Sequence, residues 1–146
     1  MESRFNLMEV LPEGYKALRT LEVFNATTIL TPIQKELIKI RASQINQCAF
    51  CLAMHTKDAR KYGETEERIY LLNAWKETSL YTSEERALLA MTEEVTQISN
   101  HGVSDTTYNE VVKFFGIEGT AQILLNIIMI NSWNRLAITL QYQPIL

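Results

Sequence analysis

Residues 31–63, TPIQKELIKIRASQINQCAFCLAMHTKDARKYG, carry the helix signals that decide the fold of this chain. Thr31 is a typical N-cap residue, Pro32 occupies the first helical position, and Gln34 can reach back to the cap. Apolar side chains then recur with the helical period at Ile33, Leu37 and Ile40. The pattern predicts a helix from Pro32 toward Gln47.

Helix signals continue through the middle of the chain, and no stretch shows a strand-like alternation of useful length. A second helix is expected over about residues 47–62, because Gly63 suits a left-handed C-cap. A third is expected over about residues 65–77. Thr82 and Glu85 form another capping box. The helix that follows has one apolar face, made by Leu88, Met91, Val95 and Ile98.

The last third of the chain predicts two further helices. Ser104 caps a short helix that ends at Gly116, and a longer helix, apolar on most sides, follows over residues 117–140. We expect this helix to be buried or to lie in a subunit interface rather than in a membrane, because polar side chains interrupt it at Gln122, Asn126, Asn131, Asn134 and Arg135. The sequence therefore predicts an all-α fold of six or seven helices, with residues 1–146 forming a single domain.

The composition limits the class of protein. The 146 residues are 47% hydrophobic and 21% charged, which is close to the globular average and excludes a disordered, collagen-like or disulfide-rich chain. A net charge of -3 without a Lys/Arg block argues against a nucleic-acid partner. The N-terminus has no basic start followed by an apolar core, so we expect a cytoplasmic protein without a membrane partner.

The only two cysteines, Cys48 and Cys51, are three positions apart and are followed by His55. On one continuous helix these three side chains would lie within about 60° of one another. Cα atoms at that spacing are about 5 Å apart, which is compatible with a disulfide. In a reducing compartment such a pair is typically redox-active or metal-binding. We therefore take Cys48, Cys51 and His55 as candidate catalytic residues on a central helix.

Two features could activate these thiols, which are mostly protonated at neutral pH when unperturbed. Unpaired N–H groups at a helix N-terminus favour a thiolate, and the His55 imidazole can accept a thiol proton. Contact with His55 favours Cys51 as the activated thiol, whereas the helix N-terminus favours Cys48 as the accessible thiol that meets the reducing partner. Glu36 is the candidate for orienting the imidazole, but its spacing fits a solvated surface carboxylate equally well.

Other classes of protein fit the same residues less well. A thioredoxin-type motif follows a strand, whereas a helix precedes Cys48. A structural zinc site needs four ligands; the CxxC pair and His55 supply three, which leaves Glu36 or His101 as a fourth. No hydrolase, flavin, nicotinamide or phosphate-binding motif is present, so we expect no cofactor and no metal. The thiols could also be buried and inert in a non-enzymatic scaffold or ligand-binding module.

Large apolar residues point to self-association. Phe50 and Met54 are expected on the side of the cysteine helix that faces away from the thiols, and the final helix adds Ile127, Ile130 and Trp133. A chain of this size can hardly bury all five side chains alone, so we expect a homo-oligomer.

The pattern from Glu36 through the CxxCxxxH motif, Cys48 to His55, resembles the alkyl hydroperoxidase D family of the carboxymuconolactone decarboxylase-like superfamily. The resemblance covers about residues 15–140, the expected core of the domain. It is carried further along the chain by DARKYG at 58–63, NAW at 73–75, YTSEERA at 81–87 and NSWNRL at 131–136.

This resemblance implies a redox enzyme with an all-α fold and a proton relay. Glu36 and His55 match the glutamate and histidine of the family's relay, and Cys48 and Cys51 match its cysteines. Family members are thiol-dependent peroxidases or disulfide reductases that serve a peroxiredoxin, and they form trimers or hexamers. The implied partners are a hydroperoxide and an external dithiol or thiol-redox protein. The best-studied members carry a second histidine where this chain has Phe50, and the decarboxylase branch, a lyase, generally lacks the CxxC.

Overall fold

The computed structural model describes residues 2–145, which form an all-α fold without strands in that range, as the sequence predicts. Each main helix was expected except the first two. The elements are α1 (Leu7–Val10), α2 (Pro12–Ala26), α3 (Pro32–Asn46), α4 (Ala49–Lys61), α5 (Glu66–Leu71), a 3₁₀ helix (Leu72–Glu77), α6 (Ser83–Thr96) and α7 (Asp105–Leu140).

Reciprocal capping boxes begin α3 and α6 where the sequence predicts them. The Thr31 hydroxyl accepts from the Gln34 backbone N–H at 3.1 Å, and the Gln34 side chain accepts from the Thr31 N–H at 3.0 Å. Thr82 and Glu85 make the same exchange at the start of α6. These bonds satisfy donors that the first turn of a helix leaves without partners.

Helix α3 is the centre of the molecule, since α4, α6 and α7 all pack against it. Its side chains Leu37, Ile38 and Ile40 are completely buried. The periodic apolar residues of α3 therefore supply the core around which the other helices are arranged, and burial of this kind is the main source of stability.

The turn between α3 and α4 places Cys48 outside the helix. Gln47 adopts a left-handed conformation with φ of 59° and ends α3, and Cys48 follows as the extended N-cap of α4. The Cys48 backbone N–H bonds to the Ser43 carbonyl at 3.0 Å, which fixes this turn. Cys48 is therefore the N-cap of the helix that carries Cys51 and His55 rather than a residue within it, because its backbone is extended.

A network of buried amides ties α3 to α7 behind this turn. The Asn46 side chain donates to the side-chain oxygens of Asn131 and Asn134, and Asn134 donates to the Ser43 hydroxyl at 3.0 Å. Asn131 also donates to the Thr96 hydroxyl on α6. Two of the polar residues that interrupt the apolar final helix, Asn131 and Asn134, are thus hydrogen-bond partners of other helices.

Helix α7 is interrupted at Gly116, where the sequence predicts a helix end. The glycine has φ of 67° and ψ of 179°, a region that residues with a side chain rarely adopt. By length and composition alone, α7 is the one helix among residues 2–145 that could cross a membrane. Its Asn126 and Asn134 are nevertheless completely buried within the protein, which favours a core helix.

Two expectations about the remaining helices need correction. No segment before residue 31 was assigned to a helix, whereas the structure has α2 there; this helix buries only Asn25, so most of its side chains remain partly or fully exposed. Ile127 and Ile130 were expected to require a second subunit, but both are 0% exposed within this chain. The chain is large enough to cover this face of α7 with its own α2 and α3.

Gly116→Ala is expected to lower the free energy of unfolding by about 1–3 kcal/mol, because alanine is strained at this backbone conformation. An added Cβ would meet nothing within 4 Å, so backbone strain is the sole cause. Urea unfolding measures the change. Glu118→Ala, two residues further along on the exposed surface, is the control and should stay within about 0.5 kcal/mol of wild type. Equal stability of G116A and wild type would contradict the strain.

Candidate active site

Cys48 and Cys51 form a disulfide at the N-terminus of α4, with Cα atoms 5.4 Å apart. The Cys48 sulfur also accepts a hydrogen bond from the Cys51 backbone N–H at 3.4 Å. A thiolate at Cys48 would therefore lie at the positive end of a helix. Both cysteines are 1% exposed, so the expectation that Cys48 is the more accessible thiol is not met in this oxidised form.

His55 lies one turn beyond Cys51 on α4 and is 7% exposed. Its Nδ1 is 2.8 Å from the Glu36 Oε2 atom. An ionised carboxylate can only accept, so in this pair Nδ1 carries the proton and donates to Glu36. In the neutral imidazole this leaves Nε2 free to accept a proton, which is the state required of a general base.

Glu36 is 4% exposed and joins α3 to α4, so it is not the solvated surface carboxylate that its spacing also allowed. Its second oxygen, Oε1, accepts from Lys39 Nζ at 2.8 Å. Burial acts to raise the pKa of Glu36, but the hydrogen bond and charge of His55, together with Lys39, outweigh it and lower the pKa. The carboxylate is therefore held ionised beside His55. Glu64, another carboxylate near α4, pairs instead with Arg68.

A cavity of about 190 Å³ opens beside Cys51 and His55. Phe50 and Met54 also line it, so the expectation that these side chains face away from the thiols is wrong. The side chains of successive helix residues point in directions only about 100° apart. The cavity is therefore wide enough to be lined both by Cys51 and His55 and by their neighbours Phe50 and Met54. Phe50 makes an edge-to-face contact with Tyr142, with ring centroids 5.7 Å apart.

Helices α2 and α7 complete this cavity with residues that the sequence motifs did not select. Tyr15 contacts Trp133 edge to face, with centroids 5.5 Å apart. The indole Nε1 of Trp133 is buried and has no hydrogen-bond partner among residues 2–145. The NSWNRL stretch was singled out for its resemblance, its polar residues and the large side chain of Trp133, but no local pattern indicates that it meets the CxxC helix. The lining from these two helices and the C-terminal segment comprises Tyr15, Arg19, Glu22, Met129, Trp133, Ala137 and Tyr142.

The surroundings of Glu36 are more polar than those of Cys51. A second cavity, of about 240 Å³, is lined there by Glu36, Lys35 and Lys39. Asn25 and Asn126 also line it, and each has a buried side-chain oxygen without a partner in the described chain. Glu36 thus lines this cavity and His55 lines the largely apolar one beside Cys51, while Glu22 and Met129 line both. Across residues 2–145, no group of three or more His, Cys, Asp or Glu side chains is arranged to hold a metal ion.

Comparison with known proteins identifies the family. Residues 10–94 match the Carboxymuconolactone decarboxylase family. The uncharacterized protein YdfG of Bacillus subtilis (strain 168) is 44% identical over 140 residues, which cover 96% of this chain and 95% of YdfG. The chain therefore belongs to the carboxymuconolactone decarboxylase family.

Solved structures show the same architecture. A protein of unknown function from Agrobacterium tumefaciens, described as a candidate AhpD antioxidant defence protein, superposes with a TM-score of 0.96 at 37% identity, covering 99% of both chains. A peroxidase-related protein with an alkylhydroperoxidase AhpD core from Ralstonia eutropha JMP134 gives a TM-score of 0.83 at 20% identity, covering 94% of this chain and 74% of that one. The fold is thus that of AhpD, and the resemblance seen in the sequence is confirmed.

Glu36→Gln is expected to reduce the acid dependence of stability. The pKa of Glu36 is lower in the folded chain than its ordinary value of 4.5. The ionised carboxylate therefore stabilises the folded state at pH values above that ordinary pKa. This contribution is lost as the pH falls through the folded pKa. Since glutamine does not titrate, the loss of unfolding free energy between about pH 6 and pH 3, measured in urea, should be smaller in E36Q.

Glu67→Gln, at an exposed position of α5, is the matched control and should retain the wild-type pH dependence. An E36Q profile parallel to that of wild type would contradict the lowered pKa.

Proposed function

We propose that this member of the carboxymuconolactone decarboxylase family is a thiol-dependent peroxidase and disulfide oxidoreductase that reduces hydroperoxides with the Cys48–Cys51 pair. The observation that carries the proposal is the placement of Cys51 and His55 on one cavity, with the other nitrogen of His55 held by the buried Glu36. A nucleophile, a base and a group that orients the base are the parts such a reaction needs.

In the first step, His55 accepts the proton of the Cys51 thiol, and the resulting thiolate attacks the outer oxygen of the hydroperoxide. The O–O bond breaks, and the departing alkoxide takes the proton back from His55. The products are an alcohol and a sulfenic acid on Cys51. Glu36 holds the imidazole in position and stabilises its charged form between the two proton transfers.

In the second step, Cys48 attacks the sulfenic acid of Cys51. A disulfide forms and water leaves, so one hydroperoxide has been reduced by two thiols. The Cα separation of 5.4 Å suits this reaction, because the disulfide can open and close with little movement of the backbone. The helix N-terminus favours the thiolate form of Cys48 during the attack.

An external dithiol or thiol-redox partner protein returns the enzyme to its reduced form. Because Cys51 lines the cavity, we assign the contact with the reductant to this sulfur, and Cys48 then leaves as the thiolate stabilised at the helix N-terminus. The proposed compartment is the reducing cytoplasm, where such dithiols are maintained.

We also propose that the enzyme is a homo-oligomer. Ile117, Leu124 and Ile128 of α7 are exposed large apolar side chains, and burial of such a surface favours association.

The position between the cysteines holds Phe50 instead of a polar side chain, so His55 is the imidazole that we assign to the proton transfers.

The test is reaction of the reduced protein with one equivalent of cumene hydroperoxide. We expect both thiols to disappear and the non-reduced mass to correspond to an intramolecular disulfide. In Cys48→Ser, Cys51 should still form a sulfenic acid that dimedone traps, because the resolving thiol is missing. In Cys51→Ser, sulfenic acid formation should be lost, because the thiol next to the base is gone.

The double variant with both cysteines changed to serine is the control for non-specific oxidation. Inert wild-type thiols would support the non-enzymatic scaffold instead, and a trapped sulfenic acid in C51S but not in C48S would reverse the two roles. Measurement of bound zinc on the same preparation tests the metal-site alternative.

A further inference from the structure

The Glu36 carboxylate is shared between two partners whose charges behave differently. Its Oε2 atom accepts from His55 Nδ1 and its Oε1 atom accepts from the Lys39 ammonium, both at 2.8 Å. An imidazole ordinarily gains or loses its charge near neutral pH, whereas a lysine ammonium keeps its charge there. The side chains of Lys39 and Glu36 are 15% and 5% exposed, so salt screens their attraction only weakly. A fixed positive charge therefore lies against the carboxylate that orients His55.

Lys39 makes this contact and no other. It lies one turn after Glu36 on α3, and Glu36 is the only group among residues 2–145 that its ammonium bonds to or pairs with. Lys35, one turn before Lys39, lines the same second cavity but donates to the Ala26 carbonyl at 3.0 Å. Of these two neighbouring lysines, only Lys39 is hydrogen-bonded to Glu36.

The other titratable groups around His55 add little net charge. Those that line its cavity come from α4, from α2 and from the C-terminal segment: Cys51, Tyr15, Arg19, Glu22 and Tyr142. Arg19 and Glu22 pair with each other at 3.3 Å, so their charges compensate one another. The side chains that α7 contributes to this lining do not titrate. Lys39 and Glu36 therefore dominate the electrostatics of the imidazole.

The Lys39 ammonium opposes the uptake of an extra proton by the Glu36–His55 pair. A proton bound by either group brings a positive charge close to a charge of the same sign, and the two repel in a partly buried site. The ammonium also shares the carboxylate that would otherwise stabilise a charged imidazole alone. Since only a neutral imidazole can accept a proton, Lys39 favours the form of the pair that acts as a base.

The same charge affects a proton transfer from Cys51 much less. A proton that arrives from solvent raises the net charge of the site by one. A proton that His55 takes from the Cys51 thiol leaves a thiolate behind, so the net charge of the site stays the same. The ammonium therefore disfavours protonation of His55 by water more strongly than protonation by Cys51.

We propose that Lys39 is a positioning residue for the proposed function, on which this step rests: its ammonium holds Glu36 and keeps the Glu36–His55 pair from binding a proton from solvent, so that His55 stays available to Cys51 toward lower pH. Lys39 does not line the cavity beside Cys51, so it acts through Glu36.

Titration of the oxidised protein tests the charge effect without redox chemistry. The chain has two histidines, His55 and the exposed His101, whose ring signals can be followed separately by NMR. Lys39→Met should move the transition observed at His55 upward by about one pH unit, because the repelling charge is gone. Lys39→Gln should act in the same way. Lys39→Arg, which keeps the charge, should stay within about 0.3 pH unit of wild type, and His101 should not change.

Lys35→Met is the matched control, because it removes the same charge from the same helix and cavity without breaking a bond to Glu36. It should move the His55 transition by less than about half as much as K39M does. Equal transitions in K39M and wild type, or equal movements in K39M and K35M, overturn the inference. If K39M fails to fold, K39Q and K39R decide it.

The dependence of kcat/KM for cumene hydroperoxide on pH gives the second measurement. In K39M the acid limb should move upward, so the value on that limb falls about tenfold while the alkaline plateau stays within about twofold. A loss that is uniform across the pH range indicates a structural role and overturns the inference. A displaced His55 transition together with thiols that are inert to the hydroperoxide supports the charge effect of Lys39 and overturns the proposed peroxidase.

Discussion

The hydrogen bond from His55 Nδ1 to Glu36 connects the two helices on which the candidate site is built. Burial of a carboxylate is unfavourable unless its charge is compensated, and Glu36 obtains that compensation from His55 and Lys39. The bond also determines which imidazole nitrogen remains free on the cavity side. A single buried contact therefore affects the packing of α3 against α4 and the chemistry available to Cys51.

The geometry of that contact depends on the turn between the helices. The left-handed Gln47 ends α3, and Cys48 is the N-cap of the next helix. The Cys51 backbone N–H in the first turn of that helix donates to the Cys48 sulfur. Behind the turn, Asn46 and Asn134 connect α3 to α7 through buried side-chain hydrogen bonds. Because these amides satisfy one another, displacing one would leave buried polar groups without partners, and the turn is held firmly.

Local sequence signals were sufficient for the helices after residue 31 and for selecting Cys48, Cys51 and His55 as candidates. The capping boxes at Thr31 and Thr82 mark helix starts because their bonds join residues three positions apart. The assembly of the cavity was not predictable in this way. Trp133 reaches the CxxC helix only through the packing of α7. The boundary near Gln47 was predicted, but its left-handed backbone was not, because no glycine marks that position.

The cavity that Glu36 lines is more polar than the one that Cys51 and His55 line, and this difference is consistent with the proposed chemistry. The apolar cavity beside Cys51 lowers the local dielectric constant, so the attraction between a thiolate and a protonated His55 is stronger there than in water. Hydrogen bonds and charge from His55 and Lys39 outweigh the burial of Glu36, lower its pKa and keep it ionised. A base that is supported by a fixed carboxylate and faces an apolar cavity can accept a thiol proton while the organic part of a substrate displaces water from the sulfur.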